Sequence, residues 1–205
     1  MSVDRQLIRK QIRQIRRALS PEQQNLAEHQ ATAHMLSVLN TLGPKRVAIY
    51  LSHDGELNTN SLIAALWQQN IEVVLPRLHP FSQGNLQFYH YHRETPMVVN
   101  PYGIAEPKLD IQTLRSTDSI DVMITPLVAF DHQGNRMGMG KGFYDRTLAH
   151  RRVSAKGGKT PLAIGFAHTC QQVPSLPCEA WDIPLEMLIT PEKIFDFSAC
   201  VQHIE

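Results

Sequence analysis

The strongest strand signal in the sequence is DVMITPLVAF, Asp121–Phe130. Its nearly continuous apolar residues are typical of a strand buried on both faces, and Pro126 predicts a bend or a strand end. A glycine-rich stretch follows, RMGMGKGFYDR at Arg136–Arg146, and it leads into a predicted helix from about Phe143 to Arg151. A buried strand, a loop and a helix in this order indicate an α/β fold.

The glycine-rich loop after this strand has an unusual spacing: Gly138, Gly140 and Gly142 are separated by Met139 and Lys141. Glycine permits positive φ and leaves no Cβ between the backbone and a ligand, so successive amides can converge on an anion. Lys141 adds a positive charge, and the following helix would point its N-terminus at the same place. The spacing matches neither the Walker A loop nor the dinucleotide fingerprint. We predict a phosphate-binding loop; the alternative is a flexible surface hairpin.

Further strands and helices are predicted on both sides of this unit. The order strand, helix, strand before it implies a right-handed crossover and a mostly parallel sheet. We predict a single three-layer α/β/α domain over residues 1–205, with a basic N-terminal helix. The other predicted segments are strands at Arg46–Leu51, Val73–Leu75 (closed by Pro76), Leu86–His92, Leu162–Ala167 and, last, Leu185–Thr190, a helix that ends near Asn70, and loops at Ser52–Asn58, Asn100–Pro107 and Arg152–Lys159.

The first segment, Asp4–Leu19, has helical periodicity, with an apolar stripe beside a basic stripe. A solvated basic face is the simplest interpretation for Arg13 and Arg16. The apolar stripe consists of Ile8, Ile12, Ile15 and Leu19, and the basic stripe consists of Arg5, Arg9, Arg13 and Arg16.

A second helix is predicted to begin after Ser20 and to end near Leu42, where Gly43-Pro44 stops it. Ser20 can be the N-cap, Pro21 fits the first helical position, and Gln23 completes a capping box. Both helices precede the first predicted strand.

The composition indicates a globular protein, since 42% of the 205 residues are hydrophobic and 19% are charged. The net charge of +1 provides no global field that would attract nucleic acid. The cysteines, Cys170, Cys178 and Cys200, show no C-x-x-C spacing, and we interpret them as small buried residues with reduced thiols. No stretch resembles a signal peptide or could span a bilayer. We expect a cytoplasmic monomer with small-molecule partners and neither nucleic-acid nor membrane partners.

The region from Pro126 to Asp145 resembles the 5-formyltetrahydrofolate cyclo-ligase family, also called methenyltetrahydrofolate synthetase. The family signature is a strand ending in P-x-x-x-F-D, a G-x-R turn and then L-G-x-G-x-G-Y-Y-D; this chain has PLVAFD, GNR and MGMGKGFYD in the same order. Phe143 replaces a family tyrosine, so a role that needs the hydroxyl does not apply, whereas an apolar or stacking role does. Further resemblances follow the same order along the chain: R-x-L-S at Arg17–Ser20, Tyr50-Leu51-Ser52 with Glu56, Glu106-Pro107 and Asp182.

The resemblance implies an ATP- and Mg²⁺-dependent enzyme that closes 5-formyltetrahydrofolate to 5,10-methenyltetrahydrofolate and releases ADP and phosphate. It implies that Glu56 accepts hydrogen bonds from pterin N–H groups and that Tyr102 stacks on the pterin. It also implies that Asp145 and Asp182 bind Mg²⁺.

The resemblance further implies a nucleotide site and a substrate site that share the glycine-rich loop. Lys141 and Arg136 are the implied catalytic residues. The implied ATP-binding residues are Arg5, Gln6, Leu7, Ile8, Arg9, Arg136, Met137, Gly138, Met139, Gly140, Lys141, Gly142, Phe143 and Tyr144. The implied substrate-binding residues are Arg9, Leu51, Glu56, Tyr102, Met139, Gly140, Lys141, Gly142 and Phe143.

Other interpretations stay open at this point. His90 and His92 lie on one face of a predicted strand and form a possible metal pair, although ordinary histidines are a simpler explanation. The basic segments Arg5–Arg17 and Arg151–Lys159 could follow a nucleic-acid backbone, but the near-neutral total charge and the lack of a recognised module argue against this. A different ATP-using kinase or ligase could use the same loop. From the motif alone, Asp145 is either a Mg²⁺ ligand or a stabilising first-turn acid.

Overall fold

A computed structural model describes residues 4–82, 84–153 and 161–198, which form a mixed α/β fold. The helices are α1 (Arg5–Arg17), α2 (Pro21–Leu42), α3 (Asn60–Gln68) and α4 (Phe143–Val153). The strands are β1 (Arg46–Ala48), β2 (Glu72–Leu78), β3 (Leu86–His90), β4 (Met97–Val99), β5 (Ala105–Pro107), β6 (Leu114–Arg115), β7 (Val122–Thr125), β8 (Ala129–Phe130), β9 (Arg136–Met137), β10 (Leu162–Phe166), β11 (Met187–Ile189) and β12 (Ile194–Asp196).

An eight-stranded sheet in the order β12-β11-β10-β7-β1-β2-β3-β6 forms the centre of the described structure. The strands from β11 to β2 in this order pair in parallel. Antiparallel pairing occurs at both ends, where β12 joins β11 and where β3 and β6 extend beyond β2. The predicted α/β class with a mostly parallel central sheet is therefore confirmed. That one domain covers the whole chain stays a prediction.

Residues of the central strands alternate between two hydrophobic clusters, because successive side chains of a strand point to opposite faces. Val47 of β1 packs in the cluster that contains Met35 of α2 and Leu66 of α3. Ala48, the next residue, packs in the cluster that contains Leu148 of α4. Helices therefore contribute to the core on both sides of the central strands.

The predicted boundaries of α2 are confirmed. The Ser20 side chain accepts a hydrogen bond from the Gln23 amide at 3.2 Å, and the Gln23 side chain accepts one from the Ser20 amide at 2.8 Å. The helix ends at Gly43, whose φ of +60° is in the left-handed region that favours glycine. Within the described ranges, no helix has both the length and the apolar character needed to cross a bilayer.

β2 runs through Pro76, so the predicted strand end at this proline is wrong. The Val73 carbonyl accepts from the Tyr91 amide on the β3 side, and the Val74 carbonyl accepts from the Ile49 amide on the β1 side. The backbone groups of successive strand residues point to alternate neighbouring strands, so those of Pro76, like those of Val74, point to the β1 side. The pairing between β1 and β2 ends at Val74. Proline is tolerated there because its missing N–H has no ladder partner to lose.

Five short strands lie where the sequence predicted none, namely β4, β5, β6, β9 and β12. β5 occupies the end of the predicted loop Asn100–Pro107, because pairing with β4 supplies its hydrogen bonds. β12 follows the strand that was predicted to be the last, and it pairs with β11. Of the predicted loop Arg152–Lys159, the first two residues belong to α4 and the others lie outside the described residues.

The interpretation of the cysteines as buried residues is wrong for Cys178, which is exposed, and Cys170 is only half-buried. Cys170 lies in a short 3-10 turn, Thr169–Gln171, and Cys178 lies in an irregular segment. Neither belongs to an element with an inward face that would cover it. Cys200 lies outside the described residues.

Gly165 of β10 leaves space for leucine side chains. A Cβ at this position would lie 2.6 Å from Leu185 Cδ1 and 2.9 Å from Leu188 Cδ1. We expect Gly165→Ala to lower the free energy of unfolding by about 1–3 kcal/mol, because a packed core must shift to admit the methyl group. Chemical denaturation measures this effect. Gly138→Ala is the control, since a Cβ there meets nothing within 4 Å; equal stability of Gly165→Ala and the parent protein would contradict the packing.

Candidate active site

A cavity of about 430 Å³ opens at the carboxyl ends of the parallel strands. Tyr50 and Leu51, which follow β1, form part of its wall, as do Pro126 and Leu127, which follow β7. Open α/β sheets bind ligands at this edge, because the loops that leave the strands converge there. The cavity is therefore the candidate ligand site.

The glycine-rich loop forms another wall of this cavity, through Gly138, Met139, Lys141 and Gly142. Gly140 and Gly142 have φ values of +92° and +66°, which other residues rarely adopt. α4 begins directly after Gly142, as the sequence predicted. The loop therefore presents backbone and one lysine to the cavity at the start of a helix.

Two arginines hold the backbone of the glycine-rich loop: Arg9, which precedes the loop in the chain, and Arg146, which follows it. Arg9 Nε donates a hydrogen bond to the Gly138 carbonyl at 2.8 Å. The Arg146 guanidinium donates to the Lys141 carbonyl, and its Nε also donates to the Gly84 carbonyl at 2.8 Å. The Gly138 and Lys141 carbonyls thus point toward arginines. The groups of the loop that remain suited to an anion are its amides and the Lys141 side chain.

An aromatic and cationic group lies beside the loop. The Lys141 Nζ atom is 5.8 Å from the centroid of the Tyr102 ring, and the Tyr102 and Phe143 rings form an edge-to-face pair with centroids 6.2 Å apart. All three residues line the cavity. The structure therefore brings together three residues that the family resemblance singled out, and Phe143 makes the apolar contact that does not need a hydroxyl.

Arg136 of β9 is buried beside the cavity. Its Nη2 atom lies 2.6 Å from Asp145 Oδ1 in the first turn of α4. Its Nε atom is buried and has no hydrogen-bond partner among the described residues. A buried guanidinium with one unused donor is suited to an anion that enters from the cavity.

The two predicted Mg²⁺ ligands are each paired with an arginine. Asp182 forms an ion pair with Arg5 at 2.9 Å, and Asp145 pairs with Arg136. The Ile183 amide donates to Asp145 Oδ1 at 3.4 Å, which places this carboxylate one residue away from Asp182. No group of three or more His, Cys, Asp or Glu that could hold a metal occurs in the described part of the chain.

Glu56 faces the cavity from the loop after β1. Its Oε2 atom accepts a hydrogen bond from the His53 amide at 3.1 Å, and its Oε1 atom lies 3.9 Å from Arg16 Nη2. Burial raises the pKa of Glu56 to about 7, although Arg16 and the His53 amide act in the opposite direction. This carboxylate therefore changes its charge near neutral pH.

Arg16 is completely buried, so its interpretation as part of a solvated face is wrong. Its guanidinium donates to the carboxylate and the carbonyl of Asp54 at 2.9 Å each, and to the Leu127 carbonyl at 3.3 Å. Arg13 pairs with the same Asp54 at 2.7 Å. Arg13 and Arg16 of the basic stripe thus face the loop after β1, while Ile15 of the predicted apolar stripe is 47% exposed.

Asp54 is a site residue that the sequence analysis missed. Burial would raise the pKa of Asp54, but hydrogen bonds from Arg13, Arg17 and Arg16 lower it to about 2. The sequence contains one usable signal, the Asp54-Gly55 turn dipeptide, in which both residues have positive φ. That signal locates the turn, but it does not identify the arginines.

The N-terminal residues predicted to bind ATP have different environments. Gln6 and Arg9 line a second groove of about 600 Å³ along α1, and Met139 lines both this groove and the main cavity. Ile8 is buried in a hydrophobic cluster, and Leu7 is half-exposed and lines neither space. The structure therefore brings Gln6 and Arg9, but not the side chains of Leu7 and Ile8, to the glycine-rich loop.

The remaining predicted residues add little to the site. Tyr144 lines the main cavity, while Met137 is buried in the same hydrophobic cluster as Ile8. The rings of His90 and His92 lie 5.5 Å apart, and His92 Nδ1 lies 3.0 Å from Glu94. The described residues contain no group of three or more His, Cys, Asp or Glu that could hold a metal, so the structure gives no support to a metal pair here.

The fold and this cavity define a class, namely α/β proteins with a ligand-sized cavity at the carboxyl edge of a mostly parallel sheet. The model of the 5-formyltetrahydrofolate cyclo-ligase family matches residues 1–191. The chain belongs to this family.

Similar proteins extend the match over most of the chain. The 5-formyltetrahydrofolate cyclo-ligase of Escherichia coli (strain K12) is 48% identical over 186 residues, which cover 91% of this chain and 100% of that protein. The one of Haemophilus influenzae is 48% identical over 181 residues, covering 88% and 94%. The solved structure of Aquifex aeolicus 5,10-methenyltetrahydrofolate synthetase has a TM-score of 0.77 at 27% identity, covering 94% of this chain and 92% of that chain.

The charge of Glu56 should lower stability above neutral pH. Its pKa is about 7 in the folded protein against an ordinary 4.5, so the folded state loses stability relative to the unfolded state as pH rises between these values. We expect Glu56→Gln to raise the free energy of unfolding by about 3 kcal/mol in mildly alkaline buffer and to change little in acid. Denaturant titrations at both pH values measure this effect. Glu192→Gln, at an exposed carboxylate, is the control; a pH-independent effect of Glu56→Gln would contradict the raised pKa.

Proposed function

We propose that this protein catalyses the ATP-dependent cyclisation of 5-formyltetrahydrofolate to 5,10-methenyltetrahydrofolate, with release of ADP and phosphate. The observation that most directly supports this is one cavity lined by both Glu56 and the glycine-rich loop. A carboxylate suited to heterocyclic N–H groups and a loop suited to phosphate can bring a folate and a nucleotide into contact. Membership of the cyclo-ligase family supports the same reaction.

The folate would bind between Glu56 and the aromatic residues. In its ionised form Glu56 accepts hydrogen bonds from pterin N–H groups, which are stronger than bonds between neutral groups. Tyr102 offers a ring face to the flat heterocycle, and Phe143 supports that ring from its edge. Leu51 adds apolar wall beside them.

The phosphates of ATP would bind at the glycine-rich loop. Lys141 and the loop amides supply positive charge and donors, and the N-terminus of α4 adds to them. The buried Arg136 has an unused Nε donor for a phosphate oxygen. Arg9 and Gln6, from the adjoining groove, would contact the rest of the nucleotide.

Asp145 and Asp182 fit a Mg²⁺ ion that also contacts substrate. Mg²⁺ at phosphate-transfer sites is usually held by one or two carboxylates together with phosphate oxygens and water, and the contact of Asp145 with Ile183, the residue after Asp182, supports this pair. When bound, the ion neutralises charge on the phosphates. Arg136 and Arg5 hold both carboxylates in place.

The chemistry requires alignment and charge stabilisation rather than a nucleophilic side chain. The formyl oxygen attacks the γ-phosphorus and ADP leaves, which converts a poor leaving group into a phosphate ester of an iminium. N10 of the folate then attacks the activated carbon and loses its proton, and phosphate leaves. Lys141 and Arg136 stabilise the charge on the transferred group, and the walls of the cavity hold oxygen and phosphorus in line.

A direct assay tests the activity. Protein mixed with 5-formyltetrahydrofolate and MgATP should produce the ultraviolet absorption band of the methenyl product, and omission of ATP should abolish it. Folded protein that gives no band would contradict the proposed function. ADP release that is stimulated by another small molecule, but not by 5-formyltetrahydrofolate, would instead indicate a different ATP-using enzyme.

Lys141→Ala tests the role of the loop. Because Lys141 is exposed to the cavity, we expect unchanged thermal stability and a kcat lowered by about 10²–10³-fold, the usual effect of losing one charge-stabilising donor. Steady-state kinetics with both substrates saturating measure it. The matched control is Lys45→Ala, at the amino end of β1 and away from the cavity; equal rates for the two variants would rule out the phosphate role of Lys141.

A further inference from the structure

Arg16 makes a contact with Glu56 in addition to the contacts that hold α1 in place. Its side chain is completely buried, and its hydrogen bonds go to the loop after β1 and to the Leu127 carbonyl after β7. Burying a guanidinium costs desolvation energy, and well-packed apolar residues often replace a buried ion pair without loss of stability. Arg16 Nη2 also lies 3.9 Å from Glu56 Oε1, in the wall of the cavity.

We propose that Arg16 is a positioning residue of the substrate site, which keeps the Glu56 carboxylate charged and in place to accept hydrogen bonds from the bound heterocycle. This inference rests on the proposed function, in which Glu56 receives the N–H groups of the pterin. Arg16 acts through Glu56 and not on the reacting atoms.

Burial and the neighbouring groups act on the pKa of Glu56 in opposite directions. Burial favours the neutral acid, and the carboxylate of Asp54 acts in the same direction. Arg16 and the His53 amide favour the charged form. Removal of Arg16 would therefore raise the pKa of Glu56, whereas removal of the Asp54 charge would lower it.

The cavity that Glu56 faces is also lined by the basic residues Arg136 and Lys141 and the acidic residues Asp145 and Glu106, but none of these has an ion-pair contact with Glu56 in the described structure. Three buried groups close to Glu56 or Arg16 are neutral at pH 7. Tyr50 and Tyr144 both interact with Glu56, and burial raises the pKa of each phenol well above neutrality. His168 packs near Arg16, and burial together with the Arg16 charge lowers the pKa of this imidazole to about 4. Arg16 is thus the basic side chain that has an ion-pair contact with Glu56 within the described structure.

The neighbouring arginines provide a matched control. Arg13 and Arg17 share Asp54 with Arg16, but neither has an ion-pair contact with Glu56 in the described part of the chain. Arg17 is more than half-exposed, so its substitution disturbs the interior least. If Arg16 acted only by pairing with Asp54, Arg17→Gln would also shift the pH midpoint of binding. If Arg16 acts directly on Glu56, Arg17→Gln leaves that midpoint unchanged.

The test is the affinity for 5-formyltetrahydrofolate, without ATP, as a function of pH. Isothermal titration calorimetry over roughly pH 5–9 should show that binding by the parent protein weakens as pH falls below about 7. Arg16→Met should move this midpoint upward by roughly one pH unit or more, and Arg16→Lys should move it less. Arg17→Gln should leave it unchanged.

The outcomes separate this inference from the proposed function. Absence of binding by the folded parent protein at every pH would overturn the proposed function. Binding by Arg16→Met that is weaker by the same factor at every pH would indicate a purely structural role and would overturn the inference. If Arg16→Met does not unfold cooperatively, and is therefore not folded, Arg16→Lys decides alone: binding that is weaker by the same factor at every pH, with an unmoved midpoint, overturns the inference.

Discussion

The carboxylate of Asp54, which pairs with three arginines of α1, fixes the helix against the loop that follows β1. Arg16 contributes a fully buried charge to this cluster, and an unpaired charge at that depth would be strongly destabilising. The helix therefore docks only when the loop presents both the carboxylate and the carbonyl of Asp54, which requires the positive φ values of Asp54 and Gly55. The same loop carries Glu56, so the docking of α1 also determines one wall of the cavity.

One face of α1 organises both ends of the candidate site. Arg5 contacts Asp182, Arg9 contacts the Gly138 carbonyl, and Arg16 contacts the loop with Glu56. These positions are close to multiples of the helical repeat, so they share a face. A rigid helix along the cavity can hold the glycine-rich loop and the loop after β1 at a constant separation, which favours reactions that depend on alignment.

The parts of the fold that could be predicted from sequence are those with local causes. The capping box at Ser20 and the glycine-rich loop before α4 depend on residues a few positions apart. The course of β2 through Pro76 depends on where β1 stops pairing, which the segment itself does not encode. The burial of Arg16 depends on partners 38 and 111 residues away. Helical periodicity therefore placed Arg16 on the basic stripe of α1 but could not show that this position is buried.

The two antiparallel ends of the central sheet limit contacts between molecules. The outermost strands, β6 and β12, contain two and three residues. Strands this short expose few free N–H and C=O groups, so a foreign strand gains little by adding to either side. Growth of the sheet into intermolecular aggregates is therefore disfavoured at both borders, even though its parallel centre is rich in β-branched and apolar residues.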